Sequence, residues 1–217
     1  MNKKIIIKST EAFVEKILAK EGTGHDWWHI VRVRNNAEAI CKTEKADKFV
    51  VDLAILLHDV GDRKVINKDE DDYSIAENFL RENKVSPEII EEIMFIIKNM
   101  SYSKTLNNKL DNVSLEFCVV QDADRLDAIG AIGIARAFTF EGSRSRPIHN
   151  PLEKIQKVST KEDYKKLDDS TLHHFYKKLL LLKDLMNTKT AKKIALRKHK
   201  YIENYVKQFL REREGKL

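Results

Sequence analysis

Two polar residues end the most apolar helical pattern of the chain. The run that begins at Asp52 is apolar through Leu57 and closes with His58 and Asp59, and Gly61 follows two residues later. Apolar interiors exclude imidazole and carboxylate groups unless a partner compensates their burial. A lone His58 would be interpreted as a core histidine with a hydrogen-bond partner. Because an aspartate stands beside it at a helix end, a metal ion is the natural candidate for the partner.

Two other helical patterns carry an inward-facing group of the same kind. His29 lies four residues before Val33, at the edge of a buried stripe. Asp124 lies four residues after Val120 and four before Ala128, so on a helix it shares their inward face. Such groups from separate helices can converge in a bundle core, and mixed nitrogen and oxygen ligands suit Mn²⁺, Fe²⁺, Co²⁺, Ni²⁺ or Mg²⁺. The predicted ligands of one divalent ion are His29, His58, Asp59 and Asp124.

Two residues near these ligands are candidates for catalysis. Asp62 follows Asp59 by three residues, just past the helix end, where it could serve as a general acid or base. The alternative is that Asp62 is a turn residue beside Gly61. His25 lies one turn before His29 and is a candidate contact to the substrate, with capping or packing as the alternative.

Asp127 lies one turn beyond Asp124 on the same helical pattern. Three roles are open to it. It supports a metal ligand from behind, it replaces one as a ligand, or it forms a salt bridge to Arg125 or Arg136.

Four basic residues are candidates for binding phosphate. Arg63 and Lys64 follow Asp62 at the same end of the helix, and Arg144 and Arg146 lie in a proline-bounded loop. Guanidinium groups match phosphate oxygens with two parallel hydrogen bonds. The alternative for the arginines is a solvated surface. Histidines without an assigned role are His149, His173 and His174, and the last two are expected at the surface of an amphipathic helix.

The composition predicts an all-α protein. The 217 residues suit a single domain, and only 7 glycines and 3 prolines interrupt the chain, which favours long helices. The formal charge of +6 is interpreted either as a solvated surface or as an attraction for phosphate-bearing ligands. Cys41 and Cys118 lack a CxxC pattern and indicate reduced thiols of a cytoplasmic protein. No apolar run approaches the roughly 20 residues that span a bilayer.

Most of the chain can be divided into helical patterns. Residues 5–7 are at most a short strand, and Thr10 is expected to cap the first helix. Residues 101–113 and 141–151 are predicted loops. Helices are expected from Thr10 to Gly22, and over about residues 24–44, 45–60, 75–80, 87–97, 115–140 and 170–186, and a last helix begins near Thr188 or Thr190.

The order His29, His58-Asp59, Asp124 resembles the HD-domain phosphohydrolase superfamily. The segment from Gly24 to Val33 looks like the first helix of that family, and Ala123-Asp124-Arg125-Leu126 is similar to its closing motif. The resemblance spans at least residues 23–130. The stretch from Gln121 to Arg136 and the sequence that follows resemble a branch often called YpgQ- or YedJ-like, which is associated with nucleotide phosphohydrolysis.

This resemblance implies a helical bundle of HD-domain type, one bound divalent metal ion, and hydrolysis of a phosphoester or phosphoanhydride. The metal-binding core would cover about residues 23–130, with a helical extension over about 131–217. One position departs from the family pattern, because Met100 stands where many relatives carry a histidine. Ser101 and Tyr102 remain candidates for polar contacts there.

Two hypotheses about function follow. The first is a divalent-metal-dependent phosphohydrolase that acts on a nucleotide or a similar phosphorylated small molecule, with nucleoside triphosphate pyrophosphohydrolysis as one form. The second is a non-catalytic helical protein that binds nucleic acid or acts as a scaffold and keeps a structural metal. The basic stretch from Lys192 to Lys200 is its support. We expect a small-molecule partner, no membrane and no nucleic acid, and leave a homodimer open.

Overall fold

The computed structural model describes residues 2–19, 21–22, 24–62, 65, 70–106, 110–153 and 170–216. Over these ranges every regular element is helical, and the helices form a single bundle, which confirms the predicted all-α class. None of the described helices is both long and apolar enough to cross a membrane.

We number the α-helices of the described residues in chain order. They are α1 (Lys3–Leu18), α2 (Trp27–Cys41), α3 (Lys48–Leu57), α4 (Ser74–Glu82), α5 (Pro87–Asn99), α6 (Tyr102–Thr105), α7 (Leu115–Asp127), α8 (Gly130–Gly142), α9 (Thr171–His174) and α10 (Lys189–Arg213). A π-helical turn, Phe175–Leu179, and a 3₁₀ turn, Leu182–Leu185, lie between α9 and α10.

Helix α3 lies at the centre of the bundle, as its apolar sequence predicts. All but two of its residues are buried, and it contacts α1, α2, α5 and α7. Helix α2 packs along α7, and α8 packs against α10. The metal-ligand candidates lie on α2, at the end of α3 and on α7. The most extensively packed helices therefore position the site.

The first helix corrects two predictions. Residues 5–7 are not a strand, because α1 begins at Lys3 and Asn2 caps it through its side chain. Thr10 lies inside the helix, where its buried hydroxyl donates a hydrogen bond of 2.8 Å to the Ile6 carbonyl. Ile6, Thr10, Val14 and Leu18 share one buried face. Burial of that face overrides the weak strand preference of β-branched residues.

The helical pattern predicted over residues 115–140 is divided into two helices. Helix α7 ends at Asp127, and Gly130 begins α8 with φ of +79°. A β-carbon at Gly133 would lie 2.2 Å from the Ala128 carbonyl oxygen, so the two helices meet closely at this break. The turn at Gly130 ends one helix and begins the next. The continuous apolar and small-residue pattern did not show it.

The last helix begins as predicted, with Thr188 as its N-cap. Asp122 lies on α7 and is fully buried against this helix start. Its carboxylate accepts hydrogen bonds from the backbone N–H of Thr188 at 2.7 Å and of Asn187 at 2.8 Å. Negative charge at a helix N-terminus is favourable because the first N–H groups have no intrahelical partner. Asp122 therefore joins α10 to α7 and faces away from the site.

The segment predicted as one helix over 170–186 is instead three short helical pieces.

We predict that Gly61→Ala destabilises the protein by at least about 2 kcal/mol. Gly61 has φ of +96°, and a β-carbon there would lie 2.0 Å from the Asp72 carbonyl oxygen. Chemical denaturation followed by circular dichroism measures the change. Gly142→Ala is the control, because no atom lies within 4 Å of its β-carbon position and its φ is not positive, so its stability should stay within about 1 kcal/mol of the parent. Equal stability of both variants would contradict the close approach of Gly61 to the Asp72 carbonyl oxygen.

Candidate metal centre

Three helices bring the predicted ligands together. Asp26 caps α2, and its carboxylate accepts a hydrogen bond of 2.8 Å from the backbone N–H of His29. His58 is the C-cap of α3 and Asp59 follows it, so both lie at the end of the central helix. Asp124 lies in the last turn of α7, three residues before its end. His29 and Asp59 are buried, whereas Asp124 is half-buried.

The ligand atoms of these residues face one another at short range. The Nε2 atoms of His29 and His58 are 3.2 Å apart. A carboxylate oxygen of Asp124 lies 3.4 Å from His29 Nε2, and one of Asp59 lies 3.6 Å from it. The other Asp59 oxygen lies 3.4 Å from His58 Nε2. Donor atoms of His29, His58 and Asp124 all fall within 4.8 Å of one another, as do those of His25, His29 and Asp59.

The other ring nitrogens determine the protonation state of this cluster. His58 Nδ1 lies 2.7 Å from the Ile55 carbonyl oxygen, which can only accept, so Nδ1 carries the proton. His29 Nδ1 lies 2.8 Å from an Asp127 carboxylate oxygen and carries a proton for the same reason. When both rings are neutral, as they must be to bind a metal ion, their Nε2 atoms present lone pairs to each other and to two carboxylates. A cation between them satisfies these converging acceptors, so the donor set fits a divalent metal ion.

Burial and the charges in the cluster shift the pKa values of its two histidines in opposite directions. Burial lowers the pKa of His29 from 6.5 to about 4, and Arg136 adds to the effect. His29 is thus neutral near pH 7 and its lone pair is available. Burial opposes ionisation of Asp59, but His58 and His25 outweigh it and hold the pKa of Asp59 well below its usual value. Burial also opposes the charge of His58, but Asp59 and Asp124 raise its pKa above the usual value.

Asp127 is buried behind His29 and contacts two arginines. Arg32 donates to its carboxylate at 2.8 Å and 3.2 Å, and Arg136 donates at 3.0 Å. Burial would raise the pKa of Asp127, but the hydrogen bonds from His29 and Arg32 outweigh it and leave the pKa below its usual range. Of the three roles open from the sequence, the geometry combines support for a metal ligand with the salt bridge to Arg136. Arg125 instead donates to the Leu185 carbonyl.

The two candidate catalytic residues lie beside the ligands. His25 Nδ1 is 3.1 Å from an Asp59 carboxylate oxygen, and its ring packs edge-on against Phe140. Asp62 is half-buried one turn beyond Asp59, and its backbone N–H donates to the Asp59 carbonyl at 3.2 Å. Both residues line the same cavity.

That cavity has a volume of about 460 Å³, and residues of opposite charge line it. Its lining includes His58, Asp59, Asp62 and Asp124. It also includes five cationic residues, which we call the basic residues of the cavity: Arg136, Arg144, Arg146, Lys177 and Lys178. The structure thus brings the predicted Arg144 and Arg146 to the cavity. Arg63 and Lys64 lie outside the described residues.

The sequence did not single out three of these cations as binding residues. The sequence indicates Arg136 only as a salt-bridge partner and indicates no role for Lys177 and Lys178. Lys177 is buried, as is His173, which corrects the expected surface position of that histidine. The reason is the π-helical turn, in which the Leu180 N–H donates to the Phe175 carbonyl five residues earlier. This wider turn changes which residues face inward, so helical periodicity could not predict them.

Met100 lines the cavity at the position where the sequence departs from the family pattern. Ser101 lines the cavity too, and Tyr102 is largely buried with its hydroxyl donating to the Lys177 carbonyl at 2.9 Å. Tyr102 therefore holds the segment that carries Lys177 and Lys178.

Known proteins are similar to this chain in sequence and in fold. A model of the HD domain family matches residues 27–129. The chain is 36% identical over 203 residues to the YpgQ protein of Bacillus subtilis, which covers 94% of this chain and 91% of the relative. A crystal structure of YpgQ in complex with ADP has a TM-score of 0.77 at 34% identity and covers 98% of this chain and 97% of that one.

Two further crystal structures match over almost the whole chain. A Lactobacillus plantarum protein has a TM-score of 0.88 at 34% identity and covers 99% of this chain and 100% of that one. An HD-superfamily hydrolase from Bacillus thuringiensis has a TM-score of 0.73 at 38% identity and covers 98% of this chain and 99% of that one. The similarity therefore includes both the bundle and the elements that form the cavity.

We predict that Asp127→Asn weakens binding of Mn²⁺ by about 10- to 100-fold. The amide keeps the size of the carboxylate but loses the charge that fixes His29 with its proton on Nδ1. Isothermal titration calorimetry on the metal-depleted protein measures the affinity. Asp52→Asn is the control, because Asp52 pairs with Arg34 outside this cavity and should bind Mn²⁺ as the parent does. Unchanged affinity for Mn²⁺ in the Asp127→Asn variant would contradict the proposal that Asp127 supports His29 as a ligand.

Proposed function

The chain belongs to the HD-domain superfamily of metal-dependent phosphohydrolases, and we propose that it hydrolyses a phosphoester or phosphoanhydride bond of a nucleotide. The observation that carries the nucleotide assignment is that predicted metal ligands and five basic residues line the same cavity. A phosphorylated ligand matches this lining, because its phosphoryl oxygens would suit the metal and its remaining negative charge would suit the cations. The complex of the relative YpgQ with ADP supports a nucleotide. Hydrolysis of a nucleoside triphosphate to release pyrophosphate is one form of this reaction.

The proposed ligands are His29, His58, Asp59 and Asp124. A divalent ion bound there polarises a phosphoryl oxygen and lowers the pKa of water to about 7 in favourable sites. The oxygen and nitrogen donors suit Mn²⁺, Fe²⁺, Co²⁺, Ni²⁺ or Mg²⁺. Asp127 supports the centre by keeping the Nδ1 proton on His29, so that Nε2 is free to act as a ligand.

Asp62 is the proposed proton-transfer group. Gly61 has φ of +96° just before Asp62, and Asp62 lines the cavity beside the ligand cluster. A carboxylate at this place can accept a proton from the attacking water or, once protonated, deliver one to the leaving oxygen. His25 holds Asp59 through Nδ1, and we propose that its other ring nitrogen contacts the substrate.

We propose that the basic residues of the cavity bind the phosphate oxygens that the metal does not bind. The Arg146 guanidinium is held by Glu141 at 2.6 Å, and Arg144 stacks 4.3 Å from the centre of the Phe140 ring. These contacts restrict both arginines before a ligand arrives, which lowers the entropy cost of binding. We also propose a cytoplasmic protein that acts on a small molecule, in keeping with the free thiols of Cys41 and Cys118.

A hydrolysis screen tests the proposed function. We expect the purified protein with Mn²⁺ to release phosphate or pyrophosphate from at least one nucleotide, and we expect Asp59→Ala to reduce the rate to background. Phosphate and pyrophosphate assays together with nucleotide chromatography identify the bond that is cleaved. Absence of turnover for all phosphorylated compounds, or a fully active Asp59→Ala variant, would disprove a catalytic role.

In the same assay, Asp62→Asn separates catalysis from metal binding. We expect kcat to fall by about 10²- to 10⁴-fold because the proton-transfer group is lost. The affinity for Mn²⁺ should stay close to that of the parent, because Asp62 is not a ligand. If the variant loses metal instead, Asp62 belongs to the metal site and not to proton transfer.

We predict that the substrate KM rises as the pH passes from 7 to 9. Burial, together with the nearby Arg146, lowers the pKa of Lys177 from 10.5 to about 8, although Glu153 and Glu141 partly oppose the shift. Lys177 is therefore charged below about pH 8 and loses its charge above that value, which weakens phosphate binding. We would measure KM for the parent and for Lys177→Arg at each pH and take their ratio. Ionisation of the substrate affects both KM values equally and therefore cancels in this ratio. Arginine stays charged throughout, so a ratio independent of pH would contradict the prediction.

A further inference from the structure

We propose that Arg136 binds the phosphoryl group that is cleaved at the metal centre, through the edge of its guanidinium group that faces the cavity. The inference rests on the proposed function and adds a binding residue that neither the spacing of the sequence nor the ligand cluster assigns. Arg136 lies on α8, about two turns beyond the start of this helix at Gly130. Its side chain is 17% exposed and lines the cavity together with Asp59 and Asp124.

Two hydrogen bonds fix the guanidinium group of Arg136. Nε donates to the Gly24 carbonyl at 2.9 Å, and Nη1 donates to an Asp127 carboxylate oxygen at 3.0 Å. A guanidinium group has five N–H bonds in a rigid plane. These contacts use two of them, and no other described residue accepts a hydrogen bond from the remaining three. An arginine held in this way keeps a forked set of donors for an anion in the cavity.

Arg136 also lies close to the ligand cluster. Its Nη1 and His29 Nδ1 contact the same carboxylate oxygen of Asp127, at 3.0 Å and 2.8 Å, and Arg136 lines the cavity together with Asp124. A phosphoryl group bound at the cluster would therefore lie near its positive charge. Negative charge on the oxygens of that group is what an arginine can stabilise during phosphoryl transfer. By contrast, Arg146 is paired with Glu141.

Arg32 provides a matched control because it shares one of the two contacts. It donates to both carboxylate oxygens of Asp127, as closely as Arg136 does, and it is also half-buried. However, Arg32 does not line the cavity. Loss of either arginine therefore weakens the support of His29, whereas loss of Arg136 alone should remove a contact to phosphate.

Binding of inorganic phosphate to the Mn²⁺-saturated protein tests the inference without requiring turnover. Isothermal titration calorimetry should show that Arg136→Met weakens phosphate binding by at least about tenfold, whereas Arg32→Met stays within about twofold of the parent. Affinity for Mn²⁺, measured separately, should fall by a similar factor in both variants. Arg136→Lys should be intermediate, because an ammonium group keeps the charge but not the forked donors.

The outcomes separate this inference from the proposed function. Equal phosphate affinities in the Arg136→Met and Arg32→Met variants, or no phosphate binding by the parent, would overturn the role of Arg136. Failure to hydrolyse any nucleotide, with phosphate binding that still depends on Arg136, would overturn the proposed function alone. Circular dichroism establishes that each variant is folded. If Arg136→Met does not fold, Arg136→Lys decides, and phosphate affinity equal to that of the parent would contradict the proposal.

Discussion

The site depends on one buried carboxylate that is not itself a predicted metal ligand. Asp127 accepts hydrogen bonds from His29, Arg32 and Arg136, which lie on two other helices. A carboxylate without such partners would be very costly in this position. The arginines make the charge tolerable, and the charge then fixes which nitrogen of His29 carries the proton. The packing of α2 along α7 and the position of α8 therefore determine that His29 keeps its proton on Nδ1 and offers Nε2 as a ligand.

The convergence of acceptors explains why the four predicted ligands occupy three helices. Lone pairs that point at one another repel, so a folded chain keeps them together only where strong packing elsewhere outweighs the repulsion or where a cation fills the space. The central helix α3 supplies that packing, since nearly all its residues are buried up to His58. The end of the buried central helix thus carries polar groups that repel one another without a cation between them, and such strained arrangements are common at functional sites.

Much of the fold and the ligand cluster could be predicted from the sequence, because both follow from helical periodicity. His29, His58, Asp59 and Asp124 each occur at a defined place in an apolar pattern, and the structure brings their ligand atoms close together. Other features depend on events that periodicity does not encode. The break after Asp127 and the π-helical turn before Leu180 change the direction of the chain, and they bring Arg136 and Lys177 to the cavity. The start of α1 was missed because burial, not β-branching, decides its structure.

The turn at Gly61 has a consequence for how the chain can vary in length. The backbone N–H of Asp72 donates to the Gly61 carbonyl at 2.8 Å, so the two ends of the intervening segment are fastened to each other. A segment closed in this way can gain residues at small cost, since doubling a loop adds only about 0.6 kcal/mol of closure entropy. The ligand cluster and Asp62 precede or begin this closed segment. Sequence inserted between Asp62 and Asp72 should therefore leave the metal ligands in place.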